Sequence, residues 1–251
     1  MLNYVEYGDA TGVPLLVVHG LYGSARNWNV IAKRLADERP VIAVDMRNHG
    51  SSPWFDSQSY PDMAADLAEV IEAHGGKADL VGHSMGGKAS MTLALTRPEL
   101  LRKLIIADIA PVTYTHTQIG YIHAMKALDL APIKTRSDAD QALRDSVPEL
   151  AVRAFLLQSL DVQEKRWRLN LDVLGAEMDK IIGFPQLDGQ FPEPTLFLSG
   201  GASDYVLPEH RPQITALFPK ARFVKIPGAG HWLHAEKPRE FEAAIRAYLA
   251  A

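Results

Sequence analysis

Short apolar blocks recur along the chain, separated by stretches in which apolar residues fall three or four positions apart. The blocks are Leu15–Val18, Val41–Val44, Asp79–Val81, Leu104–Ala107, Thr195–Leu198 and Phe223–Ile226. Each is continuous rather than alternating, the pattern of a strand buried on both faces of a parallel sheet. The intervening stretches Trp28–Asp37, Tyr60–His74, Ser84–Thr96, Glu209–Leu217 and Glu240–Leu249 predict amphipathic helices. Such alternation predicts an α/β fold: a mostly parallel, twisted sheet with helices on both faces.

From about Pro111 to Pro185 the rhythm breaks. Tyr121–Leu130, Ala139–Ser146, Glu149–Leu157 and Leu169–Ile182 read as four helices, and no strand pattern is evident among them. The strand pattern resumes at Thr195. Residues 111–185 are therefore expected to be a helical cap inserted into a core made of residues 1–110 and 186–251.

Length and charge narrow the function. A chain of 251 residues with 47% hydrophobic residues supplies one substantial core and room for that insertion. A net charge of −4, with no dense basic run, gives no footprint for nucleic acid or for an anionic membrane surface. The absence of cysteine removes disulfides, thiolate nucleophiles and Cys-ligated metals. The first residues show no basic and apolar signal pattern, and no apolar run approaches membrane-spanning length, so a soluble, cytoplasmic protein is expected. The nine histidines lack metal-ligand spacing such as HExxH, and neither metal nor organic cofactor is expected.

Three segments carry candidate chemistry. Gly82-His83-Ser84-Met85-Gly86 lies between a predicted strand and a predicted helix. A serine on such a sharp turn is raised above the sheet edge, and Gly82 and Gly86 leave space where neighbouring backbone must approach. Ser84 is the candidate nucleophile, and the Met85 N–H faces developing negative charge at the helix start. His19-Gly20-Leu21-Tyr22-Gly23 ends another strand, where the Leu21 N–H supplies a second oxyanion donor. His19 is expected to brace this loop rather than transfer protons. Gly228-Ala229-Gly230-His231-Trp232 follows the last strand and offers His231 as general base, in the chain order this topology imposes. His234 is expected to pack against or cap the last helix.

With these strings the sequence resembles the α/β-hydrolase superfamily over essentially its whole length. The segments DMRNHG, GHSMGGKA, ADIAPV and GAGHWLHAEKP resemble, more narrowly, the YbfF-like bacterial esterases and the related mitochondrial abhydrolase-domain proteins. The resemblance implies hydrolysis of a small-molecule carboxylic ester, or of an acyl-CoA thioester, through an acyl-enzyme. It leaves two positions for the triad acid. Most of the superfamily carries it after the strand that follows the cap, matching Asp204; the narrower group carries it after the strand before the cap, matching Asp108. The leaning is toward Asp108, and both stay open; Asp172 in the cap is a distant third.

Substrate contacts are expected from Tyr22, Trp54 and Trp232 near the pocket mouth. Apolar cap residues Ile119, Ile122, Met125, Leu128, Phe155, Leu156 and Leu160 either line an acyl pocket or, for most of them, simply pack. Two other functions fit the same residues: a carbon–carbon bond hydrolase, and a ligand-binding protein that has the fold without catalysis.

Overall fold

A computed structural model describes all 251 residues. Its sheet has seven strands: β1 (Tyr4–Tyr7), β2 (Leu15–Val18), β3 (Val41–Val44), β4 (Ala78–His83), β5 (Leu101–Ala107), β8 (Thr195–Gly200) and β9 (Ala221–Ile226). They are ordered β1-β3-β2-β4-β5-β8-β9, and only β1 runs antiparallel, against β3. The six expected strands are all present. β1 carries no apolar block, because an edge strand half open to water has little to bury.

Successive side chains of each central strand enter two different cores, which is why these segments read as unbroken apolar runs. Leu16 and Val18 of β2 join one core, Leu15 and Val17 the other; Leu104 and Ile106 of β5 part from Ile105 and Ala107 in the same way. The first core is closed by α2 (Tyr60–Ala73) and α3 (Met85–Thr96). Helix α2 starts at Ser59, whose Oγ accepts from the Asp62 amide, and it buries Met63, Leu67, Val70 and Ile71 at helical spacing. Helix α3 buries everything from Met85 to Ala94, since the sheet lies beneath it and α2 beside it. The second core is closed by α1 (Asn29–Leu35) and α11 (Pro238–Ala250), the latter through Phe241, Ile245, Tyr248 and Leu249.

Between β5 and β8 the chain leaves the sheet. It forms α4 (Ile119–Ala127), α5 (Arg136–Leu143), α6 (Leu150–Leu156), a small hairpin of β6 (Leu160–Asp161) and β7 (Arg166–Trp167), then α7 (Leu171–Ala176) and α8 (Met178–Ile182). Two details differ from the four helices expected. The hairpin strands are two residues each, too short for any periodic signal. The last helix is also interrupted at Glu177, the residue that both ends α7 and begins α8. After β8 the chain forms α9 (Arg211–Leu217), and a short α10 (Leu233–Glu236) precedes α11.

Candidate active site

The parallel pairing of β4, β5 and β8 continues for one bond past the strands and hangs two polar side chains side by side. The Ser84 N–H donates to the Ala107 carbonyl at 3.1 Å, and the Asp108 N–H to the Leu198 carbonyl at 2.9 Å. Both residues then leave the sheet with φ near +50°: Ser84 at 52° and Asp108 at 51°. An L-residue holds such a conformation only where its surroundings over-determine it. For Ser84 they do so tightly. A Cβ on Gly82 would lie 2.4 Å from Ser90 Oγ and 2.5 Å from the Gly86 carbonyl oxygen; one on Gly86 would lie 2.4 Å from the His19 carbonyl oxygen.

The raised hydroxyl meets an imidazole. Ser84 Oγ lies 3.1 Å from His231 Nε2, and His231 Nδ1 lies 2.8 Å from Asp108 Oδ2. Asp108 is completely buried. Its Oδ1 accepts from the Gly200 N–H at 2.8 Å and its Oδ2 from the Ser203 hydroxyl at 2.5 Å. With these donors engaged, Oδ2 also faces His231 Nδ1 as a hydrogen-bond acceptor. His231 is held on two further sides: His83 Nε2–H donates to its carbonyl at 2.9 Å, and the Tyr205 ring stacks on its own at 3.8 Å between centroids.

Asp204 is not brought to His231. Its side chain is exposed, and no hydrogen bond joins the two. Its neighbours Ser203 and Tyr205 turn inward instead, one onto Asp108 and the other onto His231. Asp172 pairs with Lys126 on the surface.

Leu21 and Met85 border the same space as Ser84. The Leu21 N–H bonds to no acceptor of the chain, and the Met85 N–H opens α3, where the first four amides lack intrahelical partners. The Leu21 loop is fixed by two neutral imidazoles. His19 Nδ1–H donates to the Gly20 carbonyl while Nε2 accepts from the Met46 N–H; His49 Nε2 accepts from the Tyr22 N–H at 3.2 Å. Burial pulls both histidines below their ordinary pKa, His49 to about 3, so each has a lone pair to offer these amides. His234 is likewise lowered to about 3 by burial and stacks on Trp28; it neither caps a helix nor reaches Ser84 by hydrogen bond.

Two cavities flank Ser84. The first, more polar, is bordered by Gly20, Asn27, His83, Phe155, His231 and Trp232. The second is mainly apolar, bordered by Tyr60, Met85, Ile109, Tyr114, Ile182 and Tyr205. Trp232 borders the first cavity. Tyr22 borders neither cavity: it is buried in the core and its hydroxyl donates to the Gln118 carbonyl. Trp54 is exposed and borders neither cavity. Of the apolar residues expected from the inserted segment, Phe155 borders a cavity, while Ile122, Met125, Leu156 and Leu160 pack in the core.

The alpha/beta hydrolase family profile matches residues 15–244. The chain belongs to that family. Among curated relatives, the sn-1-specific diacylglycerol lipase ABHD11 of Mus musculus is 44% identical over 254 residues, spanning 97% of this chain and 83% of the mouse protein. Esterase YbfF of Escherichia coli is 41% identical over 240 residues, spanning 94% of this chain and 92% of its own. Among solved structures, a marine microorganism esterase superposes with a TM-score of 0.93 at 38% identity, over 98% of both chains. No helix of this hydrolase is long and apolar enough to cross a membrane.

Sequence reasoning did not single out Ser203, Tyr205, Tyr114 or Lys88. The first two adjoin Asp204, whose carboxylate is the more obvious candidate; Lys88 lies within GHSMGGKA, at the start of a helical run.

Proposed function

We propose that this hydrolase is a serine esterase whose triad is Ser84, His231 and Asp108. The observation that carries the reading is the unbroken hydrogen-bonded series from the Ser84 hydroxyl through both nitrogens of His231 to a carboxylate with no exposure to water. In the first step His231 Nε2 takes the Ser84 proton as Oγ attacks the ester carbonyl. The amides of Leu21 and Met85 receive the oxyanion, a pair of donors whose single loss typically costs about 10²–10³ in turnover. Asp108 holds the Nδ1 proton and stabilises the imidazolium. His231 then gives its proton to the departing alcohol, and a water activated by the same imidazole releases the acid from Ser84.

Residues 111–185 act in this reading as a cap. They supply Phe155 to the first cavity and Tyr114 and Ile182 to the second, so acyl and alcohol selectivity reside where cap and core meet. Thioesters of coenzyme A fall within the same chemistry, since only the leaving atom changes. The sn-1 acyl ester of the mouse relative's named substrate class is a natural candidate for the assay panel.

A fluorophosphonate probe should label the wild type and fail to label Ser84→Ala. A series of p-nitrophenyl esters and acyl-CoAs should be turned over by the wild type alone. A labelled Ser84→Ala protein, or an unlabelled wild type, overturns the assignment.

A further inference from the structure

The esterase chemistry leaves one buried charge unused. Lys88 stands one helical turn beyond Ser84, its amide donating to the Ser84 carbonyl at 3.1 Å. It is 1% exposed, which lysine seldom tolerates without an anionic partner. No ion pair of the chain includes it. Its Nζ donates to the carbonyls of Ile182 at 2.8 Å and Gly183 at 2.6 Å, and lies 4.7 Å from the Tyr114 ring centroid. An ammonium has three donors, so these carbonyls leave one unspent. Burial pulls the lysine down to about 7, the mark of a cation whose lost hydration is only partly replaced.

Lys88 also borders the second cavity, together with Ser84, Leu21 and Met85. The other titratable groups there are Tyr60, Tyr114, Tyr205 and His116, and burial raises all three tyrosines, so none is an anion at neutral pH. A purely apolar acyl chain filling this space would strip the ammonium of any remaining solvent and give nothing back. A carboxylate on that chain would pair with the third N–H in a low-dielectric, aromatic setting, where a charge-assisted bond is strong.

We propose that the second cavity receives an acyl group bearing a carboxylate, a half-ester of a dicarboxylic acid, with Lys88 as its counter-ion. This rests on Ser84 being the nucleophile and on the second cavity being the acyl side. A lysine that served only to strap α3 to the end of α8 would not distinguish charged from neutral acyl groups.

Calorimetry in the Ser84→Ala background tests it without turnover. Monomethyl succinate, glutarate and adipate are compared with the neutral methyl esters of equal chain length. At least one half-ester should bind about 10-fold more tightly than its neutral counterpart, and Lys88→Met added to that background should abolish the preference. The inference is overturned if no half-ester is preferred, or if the preference survives the loss of Lys88. Should Lys88→Met fail to fold, Lys88→Gln serves in its place, and the single variant's preference still decides the sign. Absence of any ester turnover by the wild type would sink the esterase reading instead, and the calorimetry would still report on the cavity.

Discussion

Replacing Asp108 by asparagine separates the two candidate acids with almost no change of shape. Asparagine tolerates the positive φ of this position, so the backbone at 51° should survive. The amide cannot satisfy its surroundings in either orientation. With its oxygen toward the Gly200 N–H, its NH₂ faces His231 Nδ1 and the Ser203 hydroxyl; the imidazole must then carry its proton on Nε2, where it can no longer accept from Ser84. Flipped, the NH₂ confronts the Gly200 N–H, leaving a buried donor unpaired at a cost of about 1–3 kcal/mol. Loss of the working tautomer in a triad lowers turnover about 10⁴-fold, or about 5 kcal/mol at 1.36 kcal/mol per decade. The assay is p-nitrophenyl butyrate hydrolysis at pH 7.5, with thermal melting to establish folding. Asp108→Asn should retain on the order of 0.01% of kcat, and Asp204→Asn, whose carboxylate is exposed, should stay within about twofold. A folded Asp108→Asn protein with more than a tenth of wild-type kcat, or an Asp204→Asn protein equally crippled, would refute this assignment.

Ser203→Ala removes one donor from Asp108 while leaving the triad atoms in place; kcat should fall roughly fivefold, a loss of about 1 kcal/mol, and a fall beyond a hundredfold would mean that Ser203 does more than steady the carboxylate. Gly86→Ala drives a methyl to 2.4 Å from the His19 carbonyl oxygen, so urea titration should find it less stable by about 1–3 kcal/mol, with fluorophosphonate labelling slowed; an unchanged midpoint would show that the turn yields freely. Acid should destabilise the protein through His49 and His234, held near pKa 3 by burial. The unfolded chain takes up their protons near pH 6.5 and the folded chain does not, so stability is complete above 6.5 and declines as pH falls toward 3. At pH 5 each should cost about 2 kcal/mol relative to pH 7, which denaturant titrations at the two pH values would contradict by showing equal stability.

Much of this was legible because burial on two faces writes itself as uninterrupted apolar runs. Leu15–Val18 and Leu104–Ala107 had no other consistent reading, and once their order was set, the ends of the strands located Ser84 and the His231 loop. What stayed hidden depends on contacts between segments far apart in the chain. Tyr22 follows Leu21 in the loop after β2 and looks poised for substrate, yet its side chain is anchored 96 residues away at Gln118. Ile182 and Tyr114, which do border a cavity, look like ordinary packing residues until the two ends of the inserted segment meet, the Tyr114 N–H donating to the Ile182 carbonyl.

The ambiguity over the acid has the same origin. Strands β5 and β8 are adjacent and parallel, with Ala107 paired to Leu198, so the loops that leave them emerge together beneath His231. Either loop is within reach, and sequence alone sees a carboxylate on each. The difference lies in the hydrogen bonds that cross between them. Asp108 turns back under the β8 loop and is gripped by the Gly200 amide and the Ser203 hydroxyl, two donors from the segment that also carries Asp204. That segment therefore supplies the holder, and a carboxylate from it would have no comparable donors waiting at the end of β5. Moving the acid to position 203 would remove the Ser203 hydroxyl from the donor set, so Asp108→Asn combined with Ser203→Asp should not restore turnover, because the relocated carboxylate would have neither that hydroxyl nor the Gly200 N–H to hold it toward His231.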